Sequence, residues 1–211
     1  MEQIFNFICE NISFDKNVQQ VLLYSGFSLI VWGILPHLQH KHKLISSLFS
    51  GNKEISADFL AFILIHIGTF RNYAFFEALL SNKRFDYGEY NIISTIFGVI
   101  FLCIGSLFWL TSLWKLGLRG SYFGDHFGFI LKKKIESFPF NILENPQYNG
   151  SKLFLLGQSI IMRSLIGVIL TLFISFLYSF VFFVFEKKNM NTIYSSSNNS
   201  GDNNEKEKIK N

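Results

Sequence analysis

Charged residues are missing from long stretches of this chain, and that absence decides its class. Asn91–Trp114 and Ser164–Phe185 contain none, and Asn17–Pro36 contains none either. About 20 consecutive apolar residues are enough to cross a hydrocarbon core, so these runs exclude an ordinary water-soluble domain. Cysteine is almost as scarce. Cys9 and Cys103 are the two in 211 residues, far apart and the second inside an apolar run, so neither a disulfide framework nor a zinc site is indicated. Glu2 and Glu10 precede the first apolar run in place of a basic patch, and no A-x-A-like pattern follows it. We therefore expect neither a cleaved secretory signal nor a matrix-targeting helix. No nucleic-acid-binding motif accompanies the net charge of +4.

What is present is apolar and aromatic. Hydrophobic residues make up 49% of the chain and aromatics 18%, with 26 Phe. These values predict an all-α integral membrane protein. Four spans can be laid out, Val18–Leu35, Phe59–Leu79, Ile92–Trp114 and Leu165–Phe185, the second interrupted by His66, Arg71 and Glu77. Residues Lys152–Met162 form a shorter apolar approach to the last span, and Arg163 divides the two. That stretch either continues the last span as one long tilted helix or lies at the interface. We expect a membrane-embedded domain over residues 1–188. Residues 189–211 are polar and repetitive, too poor in apolar surface to offset the entropy of ordering, and are expected to be a disordered tail.

Cations cluster beside the spans, at His37–Lys43 and at Lys132–Lys134. Juxtamembrane cations attract anionic lipid and bias orientation. With four spans, the His37–Lys53 and Lys115–Ser151 loops share one side. The C-terminal Lys187 and Lys188 would then face the other, unless one span is re-entrant.

Two strings between the third and fourth spans stand out. Leu116–Gly128 reads LGLRGSYFGDHFG, with four glycines in thirteen residues, one acid and one histidine; Ser137–Ser151 reads SFPFNILENPQYNGS. Glycine permits close backbone approach or positive φ. Asn145-Pro146 is a turn signal, and Asp125 beside Gly124 fits a helix cap or an Asx turn.

Together the two strings resemble the phosphatidylethanolamine N-methyltransferase family, small membrane enzymes that convert phosphatidylethanolamine to phosphatidylcholine. The similarity runs from about Ile96 to Tyr194. It implies S-adenosylmethionine as methyl donor, no metal, a phospholipid substrate drawn from the bilayer, and residence in the endoplasmic reticulum, with a mitochondrial membrane as the alternative. The acceptor is a primary amine, with an ordinary pKa near 10.4, that must lose a proton before attack. Desolvation or a nearby base favours that loss.

Residue roles follow from the resemblance. Asp125 is the first candidate catalytic carboxylate, drawing the ammonium from the interface. His126 suits proton removal at neutral pH, although family members usually carry tyrosine there. Glu144, where relatives have Asp or Glu, anchors the amine or fixes its loop. Tyr122, Phe123, Phe127 and Tyr148 form either an aromatic enclosure for the methylated ammonium or an interfacial belt. The family's Gly-x-Gly donor element corresponds to Cys103, Ile104 and Gly105, with cysteine at the first glycine, and helix packing is the ordinary alternative for Gly98 and Gly105. Its Glu-Glu pair past the last span corresponds to Glu186 and Lys187. Arg119 offers a planar fork to a lipid phosphate. Three other readings stay open: methylation of mono- and dimethylated intermediates alone, prenylcysteine carboxyl methylation, and a scaffold that has lost donor binding.

Overall fold

The computed structural model describes residues 12–131 and 135–186. Cys9, Lys132–Lys134, Lys187 and the polar tail lie outside the described residues. The chain folds into helices α1 (Lys16–His42), α2 (Leu44–Leu48), α3 (Lys53–Ser81), α4 (Asn91–Ser121), α5 (Pro146–Ile161) and α6 (Leu165–Val181). A single π turn, Phe182–Glu186, carries α6 onward. Four of these, α1, α3, α4 and α6, are long and apolar enough to cross a membrane. Among the described residues there is no strand, only one isolated bridge between Arg84 and Ser164.

Local signals set the helix ends. Asp15 caps α1 by accepting from the Val18 amide at 2.9 Å, and Asn52 caps α3 by accepting from Glu54 and Ile55. Buried Gln39 closes α1 onto α2. Its side-chain oxygen accepts from the Ile45 and Ser46 amides, and its Nε2 donates to Ser46 Oγ at 2.7 Å. A buried amide left unpaired would cost ~1–3 kcal/mol, so this junction is held firmly.

The buried residues of α1 recur at Val18, Val21, Ser25 and Ser28, a three-four spacing that keeps one stripe facing α3. Two apolar clusters result. One joins Val18 and Val21 to Ala74, Phe75, Leu79, Leu155, Ile166 and Leu170. The other joins Val31 to Leu60, Leu64, Tyr122, Phe123 and Phe127 near the opposite end of the bundle. Outside them the surface stays apolar. Ile92, Phe97, Leu110 and Trp114 on α4 are exposed, Trp114 by 87%. A row of this kind faces lipid.

Lys152–Met162 takes neither expected course. It belongs to α5, a separate helix that begins at Pro146 and packs antiparallel along α4. Arg163, at φ 51°, turns the chain sharply into α6. Glycines at seven-residue spacing make the α4–α5 approach possible. A Cβ on Gly105 would lie 2.6 Å from the Gly150 oxygen, and one on Gly157 would lie 2.7 Å from the Gly98 oxygen. No side chain fits between the two backbones, which is how small residues bring membrane helices together.

α5 therefore descends from the level of Trp109 to that of Ser94, whose hydroxyl donates to the Ile160 carbonyl at 3.2 Å. With 16 residues it is ~24 Å long. This added helix brings the chain back along α4 before α6 begins. The loop after α1, the Gly124–Phe127 turn and the end of α6 all lie at one end of the bundle, with Lys43, Lys53 and Arg119. The protein is a multi-pass membrane protein.

Two measurements test this layout. Gly150→Val should destabilise the detergent-solubilised protein by about 1–3 kcal/mol through overpacking, read as a lower unfolding temperature. Gly26→Ala, whose Cβ would meet nothing within 4 Å, should leave that temperature unchanged. On a Cys9→Ser, Cys103→Ser background in sealed vesicles, Lys53→Cys and Ser137→Cys should label from one side and Glu89→Cys from the other. A tag fused after Asn211 should be cleaved on the Lys53 side.

Candidate functional site

The glycine string folds as a compact turn at the end of α4. Gly117, at φ 67° and ψ 178°, breaks the helix. Gly124 lies against the Arg119 carbonyl, so closely that a Cβ would stand 2.6 Å from that oxygen. Phe123 takes a left-handed conformation, φ 59°, ahead of the 3₁₀ turn Gly124–Phe127. Strained non-glycine backbone of this sort persists where surrounding contacts enforce it; here Trp32 packs edge-on to Phe123 at 6.5 Å and against Tyr122 at 6.1 Å.

Asp125 and His126 are joined within that turn. Asp125 Oδ1 accepts from the His126 amide at 3.0 Å and lies 2.8 Å from His126 Nδ1. An ionised carboxylate only accepts, so in this contact Nδ1 is the donor, and in the neutral tautomer that this contact selects Nε2 carries a lone pair. Nε2 is buried and has no partner. The His126 ring is enclosed by Phe123 at 5.4 Å and His40 of α1 at 5.8 Å. A buried histidine held by a carboxylate, with its second nitrogen free, is an arrangement that can accept a proton.

Arg119 faces another way. Its Nε and Nη2 donate to the two Asp58 oxygens at 2.8 and 2.9 Å, Glu54 stands 3.7 Å away, and the guanidinium lies over the Phe129 ring at 4.7 Å. In this state its fork is occupied by α3. The pair ties the end of α4 to the start of α3 beneath the turn.

The remaining sequence candidates are spread along the bundle. Glu144 is exposed just before α5, at the same end as the turn. Tyr148 leaves the Tyr122–Phe123–Phe127 group and packs on Tyr178 of α6, ring centroids 5.2 Å apart. Cys103 and Ile104 are exposed midway along α4, while Gly105 is buried against α5. Gly105 lies 12 residues before the break at Gly117, about 18 Å of helix below it. The backbone of Glu186 ends the π turn at the Asp125 end of the bundle, and Lys187 follows outside the described residues. Among the described residues no three His, Cys, Asp or Glu side chains are grouped to hold a metal.

Sequence reasoning passed over several residues here. His40 and Asp58 stood at the edges of apolar runs, with nothing local to mark their partners. Arg71 did carry a signal, since a charge inside a span is costly and needs a reason. It is 5% exposed and lines a cleft with Ser25, Ser28, Trp32, Tyr148 and Tyr178.

The chain is similar to known proteins over most of its length. Residues 93–197 match the family model described as phospholipid methyltransferase. The sequence is 32% identical over 169 residues to phosphatidylethanolamine N-methyltransferase A of Dictyostelium discoideum, covering 79% of this chain and 76% of that one. It is 34% identical over 149 residues to phosphatidyl-N-methylethanolamine N-methyltransferase of Schizosaccharomyces pombe, covering 71% and 76%. Against the Homo sapiens phosphatidylethanolamine N-methyltransferase it is 29% identical over 164 residues, covering 78% and 81%. No solved structure matches the chain.

Proposed function

This chain belongs to the phospholipid methyltransferase family, and on that premise we propose that it methylates the amine of phosphatidylethanolamine three times in succession, with S-adenosylmethionine as donor and phosphatidylcholine as final product. Its relatives carry names of both the first-step and the later-step enzymes, which supports N-methylation of phospholipid by this family member. The observation that carries the chemical reading is the Asp125–His126 pair with its free Nε2.

S-adenosylmethionine supplies a methyl group on a sulfonium, whose carbon–sulfur bond breaks with its electron pair remaining on sulfur. The protein's share is to bring the amine in neutral and in line. Asp125 draws the ammonium toward the turn by its charge. His126 Nε2 takes one proton per transfer, and Asp125 stabilises the imidazolium that results. The exposed nitrogen lone pair then forms the new N–C bond. Holding the reacting atoms ~3–3.5 Å apart supplies much of the acceleration. Phe123, Trp32 and Tyr122 give the growing cation aromatic surface, a contact worth roughly 0.5–2 kcal/mol.

Glu186 and Lys187 are the residues we assign to the donor, the first to its hydroxyl and amino groups, the second to its carboxylate. The backbone of Glu186, at the Asp125 end of the bundle, supports the first assignment. Cys103, Ile104 and Gly105 are a weaker donor element, because α5 fills the space beside Gly105. Glu144 fixes the loop ahead of α5 or meets the amine. The family's residence in the endoplasmic reticulum is the localisation we propose, with the polar tail at 189–211 dispensable for chemistry.

The deciding assay uses membranes from cells without phospholipid methylation of their own, supplied with labelled S-adenosylmethionine. Label in mono-, di- and trimethylated lipid from unmethylated phosphatidylethanolamine is expected. Label only after adding monomethylated lipid would restrict the enzyme to the later steps. No label with either substrate would leave a non-catalytic lipid-binding protein. Asp125→Asn should lower turnover roughly 100-fold or more at unchanged abundance. Truncation after Tyr194 should leave turnover within about twofold of the full chain, as the removed sequence is polar and repetitive.

A further inference from the structure

Between the two apolar clusters the bundle is polar. Ser25 and Ser28 of α1, Arg71 of α3, Tyr148 of α5 and Tyr178 of α6 meet there around a narrow cleft. Arg71 is 5% exposed and Ser25 1% exposed, and both Arg71 Nε and Ser25 Oγ are buried without a hydrogen-bond partner. The Arg71 guanidinium otherwise gives one hydrogen bond, Nη2 to Asn72 Oδ1 at 2.9 Å, and sits 5.2 Å from the Tyr178 ring centroid. Lys152 lies nearby, its Nζ 3.4 Å from Ser179 Oγ. Among the described residues the ion pairs involve only Arg119 and His126, so neither Arg71 nor Lys152 pairs with a described carboxylate.

A buried guanidinium with no described carboxylate beside it is expensive, and the partly buried Lys152 adds to the positive charge. Tyr178 lies three residues before the end of α6, ~4.5 Å along its axis, and the apolar residues Phe182, Phe183 and Val184 follow in the π turn. Snorkelling to water is closed to Arg71 by its burial. A cation kept there, with an idle N–H and an idle hydroxyl beside it, calls for an anion as partner.

We propose that Arg71 anchors the phosphodiester of the phospholipid substrate, with Ser25 as a second donor and Lys152 as supporting charge, while the ethanolamine end turns toward Trp32. This rests on the reading of the chain as a phospholipid N-methyltransferase. Three observations support a lipid phosphate over a free anion or the donor's carboxylate. The cleft lies between α1, α3 and α6, three helices long and apolar enough to cross a membrane. Its walls are completed by Leu29, Ile174 and Leu177, which suit a glycerolipid and offer nothing to an aqueous ion. Arg119, the candidate phosphate ligand at the surface, is already engaged by Asp58. From the cleft, ring contacts run from Trp32 to Phe123 at 6.5 Å and on to His126 at 5.4 Å, so the aromatic path leads an ammonium toward Asp125. The cleft is narrow, about 10 Å³, room for one water. The headgroup enters as the Tyr178 ring leaves Arg71, exchanging a cation–π contact for charge-assisted hydrogen bonds.

The test is direct binding of dihexanoyl phosphatidylethanolamine to the purified full chain in nanodiscs, followed by calorimetry, separately from turnover. Arg71→Gln should weaken lipid binding roughly 10- to 100-fold, the loss expected for hydrogen bonds to a charged group. Arg71→Lys should lose less, and S-adenosylmethionine affinity should be unchanged in both. Gel filtration checks that each variant stays folded. Should Arg71→Gln fail to fold, the wild-type chain offers a second reading: the O-methyl phosphotriester of the same lipid should bind about as poorly as the variant binds the diester. Unchanged lipid affinity in Arg71→Gln, a loss confined to S-adenosylmethionine, or equal binding of triester and diester would each overturn the proposal. So would competition by inorganic phosphate as strong as by lipid, which marks a free-anion site. A wild-type chain that binds the lipid through Arg71 but transfers no methyl group would leave the phosphate site standing and remove the enzymatic reading.

Discussion

Contact between the α4 and α5 backbones, through Gly98, Gly105, Gly150 and Gly157, is the constraint from which the rest of the arrangement follows. In lipid no hydrophobic force pulls two apolar helices together, so close packing and weak polar contacts have to do it. Four missing side chains let α5 descend along α4. The chain then turns at Arg163 and sends α6 back toward the end from which α5 came. Without that short fifth helix, the end of α6 and the Gly124–Phe127 turn would sit on opposite faces of the bilayer.

The same end of the bundle is polar for a second reason. α1 and α3 are 27 and 29 residues long, so both extend past the apolar depth. Their extensions meet the turn after α4. His40 packs on His126, and Asp58 takes both prongs of Arg119. The Asp125–His126 pair is thus built on a loop but braced by helices on two sides. Below it, the polar cleft at Arg71 separates two well-packed apolar clusters. A bundle selected for stability alone would have continued the Val18–Val21–Val31 stripe with apolar residues through Ser25 and Ser28. Instead Ser28 donates to the Ser25 carbonyl, and the Ser25 hydroxyl is buried beside Arg71.

Gly105 shows how one residue carries two readings. As part of a donor element suggested by family resemblance it belongs to the chemistry, yet its surroundings are those of a helix contact. Arg119 is similar. Its planar fork suits a phosphate, and a carboxylate 61 residues earlier in the chain satisfies the same geometry. Side-chain type names the chemistry a residue is capable of, and neighbours decide which part of it is used.

The sequence by itself determined the class, because uncharged runs long enough to cross a bilayer have no other stable home. It also determined the family, because the strings Leu116–Gly128 and Ser137–Ser151 are local and survive without knowledge of what they touch. Asp125 and His126 were legible for that reason: they are adjacent, and one hydrogen bond joins them. The fifth helix was not legible, since 16 residues with Lys152 among them resemble an interfacial segment until the glycine seam of α4 is placed against them. Nor were the partners His40, Asp58 and Arg71, which lie more than 50 residues from the turn or the helix they face. Only the tertiary structure decided which carboxylate meets Arg119, which end of the bundle receives Glu186, and that a buried arginine stands among tyrosines. Those are facts of long-range packing, where the cost of desolvating a charge is settled by whichever groups the helices bring within hydrogen-bond reach.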